Sequence, residues 1–317
     1  MIVIASHSGS FHADDACGTA ILAALHENRV RIVRSRDPQI IESATFAVDV
    51  GGQWDPENGR FDHHQKGFDG KRESGVVYAS AGLVWRQHGI AYLRKLLPSL
   101  TSKEAVDLQY RVDEELIQHL DMADTGAAVG APGRFGLSAL IDSFNVTREE
   151  QAANPRSGEV EPGDAQEYVD RAFWSAVQTM QLLLARVCAH AYNALRSEKI
   201  VLAAERLLEG QILVLPSAGL DWIPVVCEHL PEVLFVIYPD SADQQFQVRT
   251  VPVEPQSFEA RLDLPEQWAG LRDDALSDVS GVTDAVFCHN ARFICGAESK
   301  AGAITMATLA LRQGKPG

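Results

Sequence analysis

Asp62-His63-His64 is the stretch that most restricts what this chain can become. It follows the strand-like pair Arg60-Phe61. Side chains alternate along a strand, so three polar groups in a row cannot share one buried strand face. They suit a metal that draws ligands from a strand end and the loop behind it. A solvated polar loop is the plain alternative. It explains less, because His7, His12, Asp14, Asp15 and Asp49 lie in the same first quarter of the sequence. Imidazoles and carboxylates clustered in this way point to a metal-dependent enzyme.

The surrounding pattern predicts an α/β fold. Residues 2–5 form an apolar run that suits a buried strand, a loop carries His7 to His12, and residues 16–25 read as a helix. Further strands are expected at 30–33 and 46–50, and Gly51-Gly52 ends the second of these. The turn Pro56-Glu57-Asn58-Gly59 leads into the strand end at 60–62. Strand–helix–strand alternation argues for a parallel sheet, and ligands of such sheets gather at the carboxyl ends of the strands. His7, Asp49 and Asp62 all fall at such ends. Helices are predicted at 80–96, 103–124 and 136–144. The polar stretch 146–163, with Asn154-Pro155 and Pro162-Gly163, reads as a flexible boundary. A long helix from Ala165 to about Leu208 follows, with an apolar face at Leu182, Leu183 and Val187. Strands near 211–215, 233–238, 246–253, 285–288 and 292–295 and a helix at 301–312 complete the chain. The expected division is 1–160 for a metal-binding catalytic domain and 161–317 for a linker helix with a smaller C-terminal α/β substrate-binding domain.

With 317 residues, length favours two domains. The net charge of −15 removes the basic footprint that a binder of long duplex DNA needs. A polyanionic substrate would have to be held locally, by metal ions and a few arginines, which favours short oligonucleotides or small phosphoesters. Apolar runs are too short and interrupted to cross a bilayer. Residues 1–6 do not begin a secretory signal, and the five cysteines contain no C-x-x-C, so reduced thiols in a cytoplasmic protein are expected.

Each remaining motif has a bland reading beside the metal one. In His7-Ser8-Gly9-Ser10-Phe11-His12-Ala13-Asp14-Asp15, either acid could simply cap the helix. Asp49, set between Val48 and Val50, is a costly burial if unpaired, or else a turn aspartate. In Leu120-Asp121-Met122-Ala123-Asp124, acids at a helix C-terminus call for a positive partner, unless the segment is only an exit turn. Taken jointly, the inventory fits two divalent ions. Carboxylates favour Mn²⁺ or Mg²⁺, and imidazoles favour Zn²⁺.

These residues carry a family resemblance. The chain resembles the Myg exonuclease family (melanocyte-proliferating-gene product) within the DHH phosphoesterase superfamily. The likeness rests on His7-Ser-Gly-Ser-Phe-His-Ala-Asp14, Asp49-Val-Gly-Gly-Gln-Trp-Asp-Pro56 and Asp62-His-His-Gln-Lys-Gly-Phe68. It continues through Ser80-Ala-Gly-Leu-Val-Trp85, Arg249-Thr-Val-Pro-Val253, the segment Leu264 to Arg272 and Phe287-Cys-His-Asn-Ala-Arg-Phe-Ile-Cys-Gly296. It implies a DHH-type phosphoesterase domain with two Mn²⁺-type ions, Mg²⁺ or Zn²⁺ being alternatives, and a C-terminal lobe that grips substrate. It also implies phosphodiester hydrolysis, as a 3′–5′ exonuclease on RNA. The implied metal ligands are His7, His12, Asp14, Asp49, His63 and Asp121, with Asp49 bridging and Asp124 the alternative to Asp121. Asp62 and His64 would be the catalytic pair, orienting an imidazole and facing the phosphate. The usual His-x3-Asp-x-Asp of the superfamily is replaced here by the longer spacing of His7, His12 and Asp14. His289, Arg292, Arg249, Arg261 and Lys300 are the substrate-binding candidates in the second lobe. The expected partner is a short single-stranded RNA or nucleotide, with no membrane and no long duplex DNA; the oligomeric state stays open, a homodimer included. The rivals are a phosphatase or pyrophosphatase acting on small nucleotides and a non-catalytic, metal-stabilised interaction protein. Four separated acidic motifs speak against the latter, since a structural ion needs fewer ligands.

Overall fold

Short apolar strands separated by helices build a five-stranded sheet in the first part of the chain. The computed structural model describes residues 1–127, 136–153, 164–240 and 245–314. The opening elements are β1 (Ile2–Ser6), α1 (Ala13–Leu25), β2 (Val30–Arg34), α2 (Pro38–Ser43), β3 (Phe46–Val48), β4 (Trp54–Asp55) and β5 (Arg60–Phe61). The strand order is β2-β1-β3-β5-β4. As expected for alternating strands and helices, β1 runs parallel to β2 and β3, and β3 runs parallel to β5. Only the edge strand β4 is antiparallel, because the tight turn at 56–59 returns it onto β5.

This order reverses direction at β1. The chain leaves β1 through α1 to β2 on one side, then returns through α2 to β3 on the other. Alternation along the strands supports helices on opposite faces. Ala5 and Ala47 pack with Ile41 and Ala44 of the α2 region. Val48, one residue on, faces α1, where Gly18 lets the helix approach so closely that a Cβ would lie 2.8 Å from Val48 Cγ1. The carboxyl ends of β1 and β3 therefore flank the point where the winding reverses, the place where open α/β sheets collect ligands.

The helices that follow are α3 (Ser80–Leu96), α4 (Ser102–Val112), α5 (Gln118–Asp124), α6 (Leu137–Asp142) and α7 (Arg148–Ala153). The single helix expected at 103–124 is instead α4 and α5 joined by a π-helical turn at Asp113–Ile117. The first amides of α3 donate to carboxylates from distant segments: Ser80 and Ala81 to Asp14, and Gly82 to Asp121. These are amides that no helical carbonyl can satisfy.

Helix α8 (Asp164–Leu202) carries the division of the chain, which falls into the units Met1–Ala191 and Tyr192–Gly317. Most of α8 thus belongs to the first unit rather than to a domain beginning at 161. Its buried stripe is Phe173, Val177, Met180, Leu184 and Cys188, the spacing of one helical face. The face expected at Leu182 and Leu183 is corrected by this: Leu182 is 66% exposed. Of the polar boundary expected at 146–163, residues 154–163 lie outside the described residues.

The second unit is a six-stranded sheet in the order β10-β11-β9-β8-β7-β6. Its strands are β6 (Glu205–Leu207), β7 (Ile212–Val214), β8 (Phe235–Pro239), β9 (Phe246–Thr250), β10 (Ala285–Cys288) and β11 (Ile294–Ala297). Only β7 and β8 pair in parallel. Period-two alternation fills both faces. Ile212, Val214, Phe235 and Ile237 pack on one side with Met306 and Ala310 of α11 (Lys300–Gly314) and Leu276 of α10 (Asp273–Ser280). Leu213 and Val236 pack on the other with Val225 and Val226 of α9 (Ile223–His229). Among the described residues no helix is long and apolar enough to cross a membrane.

The close approach at α3 yields a stability prediction. A Cβ on Gly82 would collide with the Asp121 carboxylate and the Arg72 guanidinium. Gly82→Ala should therefore destabilise the protein by about 1–3 kcal/mol, as overpacking does. Urea unfolding reads this as a lowered midpoint, and an unchanged midpoint would show that the contact yields freely.

Candidate metal centre

The centre is assembled at the carboxyl ends of β1, β3 and β5. His7 follows β1, Asp49 follows β3, and Asp62-His63-His64 follows β5. Asp49 has φ of 57°, in the left-handed region. That conformation is uncommon outside glycine, asparagine and aspartate, and it turns the chain out of the ladder. The Asp49 amide still donates to Phe61 O at 3.0 Å, so the turn stays tied to β5. The loop between β1 and α1 is held from outside. Asn145 accepts from the Phe11 amide and donates to the Phe11 carbonyl, at 2.9 and 2.8 Å. Arg34 donates to Gly9 O at 2.6 Å, with its guanidinium 5.2 Å from the Phe11 ring centroid.

Three overlapping groups of donors have ligand atoms within 4.8 Å of one another: Asp49-Asp62-His63-His64, His7-His12-Asp49 and Asp14-His63-Asp124. Asp49 and His63 each belong to two of them. His7 Nε2 lies 3.2 Å from Asp15 and 3.4 Å from Asp49, yet it is buried without an aligned hydrogen bond to either. His63 Nε2 is 3.2 Å from Asp124, and His12 Nδ1 is 3.5 Å from the same carboxylate. A buried, unaligned imidazole nitrogen and converging carboxylates are donors that could hold a hard-to-intermediate divalent cation.

The electrostatics agree. Burial pushes the Asp14 carboxyl well above its ordinary value, and the charges of Asp49, Asp121 and Asp124 push it further. Burial also raises Asp49, but His7, His64 and His63 outweigh it and hold that carboxyl below its ordinary value. Burial opposes protonation of His7, yet Asp15 and Asp49 overcome it and raise the imidazole to about 10. Without an ion, the crowded carboxylates thus keep a proton on His7.

Asp62 and His64 form a separate pair. The Asp62 carboxylate accepts from the amides of Gly52 and His64 and lies 2.8 Å from His64 Nδ1. This fixes the ring and leaves Nε2 free of that contact, on a side chain 60% exposed. The rings of His63 and His64 do not diverge as neighbours on a strand would; their centroids are 4.2 Å apart. The reason is that β5 ends at Phe61, so strand alternation no longer governs residues 62–64.

Asp121 corrects the expected ligand set. It is fully buried, accepts from Gly82 N at 3.0 Å and lies 2.7 Å from Arg72 Nη1. Arg72 in turn makes a bidentate pair with Asp113 at 2.6 and 2.7 Å. Burial raises the Asp121 carboxyl to about 7 despite that guanidinium. The donor facing His12 and His63 is Asp124, one helical turn on. Asp15 and Ser80 were not assigned from sequence. Asp15 accepts from Ser6 Oγ and the His12 amide, and Ser80 Oγ donates to Asp49 at 3.2 Å. The spacing of His12 and Asp15, three apart at a helix start, was the legible signal for the first.

In the second unit the five expected residues separate. Arg249 lies over the Phe293 ring at 5.2 Å, and the His289 and Phe293 ring centroids are 4.6 Å apart, so these three cluster. Arg292 pairs with Asp263 at 2.9 Å, and Lys300 with Glu205 at 2.9 Å. Arg261 is corrected as a substrate contact. Its guanidinium donates to the carbonyls of Leu230 and Val233 at 2.8 and 2.9 Å, in a buckle behind α9.

A mixed α/β protein with carboxylates and imidazoles converging at a sheet switch point defines a class that can hold divalent ions. The sequence model of the family described as an uncharacterised protein family (UPF0160; MYG1_exonuc) matches residues 3–311, and the chain belongs to that family. It is 34% identical to the MYG1 exonuclease of Rattus norvegicus over 98% of this chain and 84% of that protein. The human MYG1 exonuclease is 33% identical over 98% of this chain and 86% of its own length. A MYG1 protein of Saccharomyces cerevisiae is 31% identical over 97% and 95%.

The raised pKa of His7 would make metal uptake at this site pH-dependent. A divalent ion bound at His7 must displace that proton, so binding should release a proton and tighten as pH rises toward about 10. Isothermal calorimetry of Mn²⁺ binding, in buffers of different ionisation enthalpy, measures the release. Binding that is independent of pH and releases no proton would show that His7 is not displaced.

Proposed function

We propose that this chain is a metal-dependent phosphodiester hydrolase that shortens RNA from its 3′ end. The observation that carries this reading is the sharing of the Asp49 carboxylate between overlapping donor groups. The exonuclease names of its relatives support the same class. We assign the ligands as His7, His12, Asp14, Asp49, His63 and Asp124, with Asp49 shared. When bound, two divalent ions, Mn²⁺ first among the candidates, would lower the pKa of a water and neutralise phosphoryl oxygens.

The chain's own residues then have distinct tasks. Ser80 positions Asp49 through a hydrogen bond, and Asp15 sets a negative charge 3.2 Å from His7 Nε2. Asp62 fixes His64 through Nδ1, and His64 Nε2 faces the developing phosphoryl charge as a hydrogen-bond donor. In the second unit, Arg249 with Phe293 and His289 offers a cation beside stackable rings, which suits a nucleotide. The net charge of −15 favours a short substrate and keeps hydrolysis of small nucleotides as the second reading. A ladder of products from an end-labelled oligoribonucleotide separates the two, since a phosphatase would release only phosphate.

Paired variants test the ligand assignment. Asp124→Asn should lower both Mn²⁺ retention and oligoribonucleotide turnover by on the order of 100-fold, at the upper end of what loss of a mere ligand partner costs. Asp121→Asn should keep metal but lose roughly 3 kcal/mol of stability, because a buried pair with Arg72 is broken. Metal analysis with urea unfolding on both variants decides. Metal lost from Asp121→Asn and kept by Asp124→Asn would reverse the assignment.

A further inference from the structure

The cavity at the metal centre, about 440 Å³, is lined by acids, imidazoles, Val50, two glycines and one guanidinium, that of Arg36. Among the described residues that line it, Arg36 alone carries a permanent positive charge, and its side chain makes no hydrogen bond or ion pair with another described residue. Its backbone, by contrast, is fixed on both sides. The Ser35 amide donates to Ser6 O at 2.8 Å, extending the β1–β2 ladder. The Asp37 amide donates to Ser35 Oγ at 3.1 Å, and the Asp37 carboxylate caps α2 through the Gln39 amide at 2.9 Å. An exposed, unpaired arginine thus springs from an anchored turn.

Arg34, two residues earlier, is a buried cation whose pKa is lowered by burial; the charges of Asp15 and Asp170 work against that lowering, and Arg36 adds slightly to it. The Arg36 charge therefore does not ease the burial of its neighbour, and its side chain lines the cavity instead.

Strand order places it. Across the sheet from β2 to β5 the strand ends carry Arg36, then His7, then Asp49, then Asp62 to His64. Strands lie about 4.8 Å apart, so this row spans roughly 14 Å. That is room for more than the single phosphoryl group at the shared carboxylate. His64 stands at one end of the row and Arg36 at the other.

We propose that Arg36 binds the phosphate next to the one being cleaved, and so selects substrates with at least two phosphates along a chain over an isolated diester. The inference rests on the hydrolase reading above and deepens it. Arg36 touches substrate without entering the bond-breaking step.

The test compares Arg36→Gln and Arg36→Lys with the unmodified protein on two substrates: an end-labelled oligoribonucleotide and bis(4-nitrophenyl) phosphate, which carries one phosphate. A charge-assisted contact is worth about tenfold to a hundredfold in binding. Arg36→Gln should raise KM for the oligoribonucleotide by roughly that factor with kcat within about threefold, and the loss on the small diester should be at least tenfold smaller. Arg36→Lys should recover part of the loss. Fluorescence anisotropy with a methylphosphonate-capped oligoribonucleotide, which is not cleaved, should show the same weakening, and Mn²⁺ content should not fall. Equal losses on both substrates, no loss on either, or loss of metal with activity would each overturn the assignment. If the unmodified protein cleaves neither substrate, the hydrolase reading fails, while the anisotropy comparison still decides whether Arg36 binds the oligonucleotide.

Discussion

Crowded carboxylates at the reversal point of the first sheet are the constraint on which this unit turns. Asp14, Asp15, Asp49, Asp62 and Asp121 are all buried, and Asp124 faces them. Buried acids of like sign cannot all stay ionised without a compensating charge. The chain compensates locally in three ways. Arg72 answers Asp121 and Asp113. The first amides of α3 answer Asp14. His7, His63 and His64 answer Asp49. The imidazole part of that compensation also lies in the groups that could hold a metal ion, so the candidate site coincides with the charges that strain the fold.

The supports lie outside the donors. Asn145 and Arg34 hold the loop between β1 and α1, and Phe11 packs against Phe173 of α8 with centroids 5.2 Å apart. Helix α8 therefore does more than join two units: its first part packs against the loop that carries His7 and His12. Gly82 and Gly18 matter for a related reason. Each allows a helix to approach another element closely, α3 against Asp121 and α1 against β3. A binding centre built from several strand ends needs such fixed spacings, because ligand positions off by an ångström no longer converge.

Much of this was legible in the residue order. Strand–helix alternation gave the parallel pairing of β1, β2, β3 and β5, and α3 was expected at its observed bounds. Clusters of His and Asp named most of the converging donors. What was not legible had physical causes. Asp121 and Asp124 sit one helical turn apart, and only the distant Arg72 separates a paired acid from an open one. The buried stripe of α8 follows Phe173 to Cys188 rather than the leucine pair 182–183, because the neighbours that select a face come from residues 11–28. Arg261 looked like a substrate contact because carbonyls at the end of α9 leave no mark in composition. Strand β5 was expected to reach Asp62, but its pairing stops at Phe61 and the two imidazoles that follow lie side by side.

The central claim is that one carboxylate, Asp49, joins two ion positions. Stoichiometry tests it most directly, by Mn²⁺ counted per chain by plasma mass spectrometry after equilibrium dialysis, in the unmodified protein and in Asp49→Asn. The account predicts two ions in the former and no more than one, weakly held, in the latter, with the fold retained by circular dichroism. Two ions bound equally well by Asp49→Asn, or none bound by the unmodified protein, would contradict it.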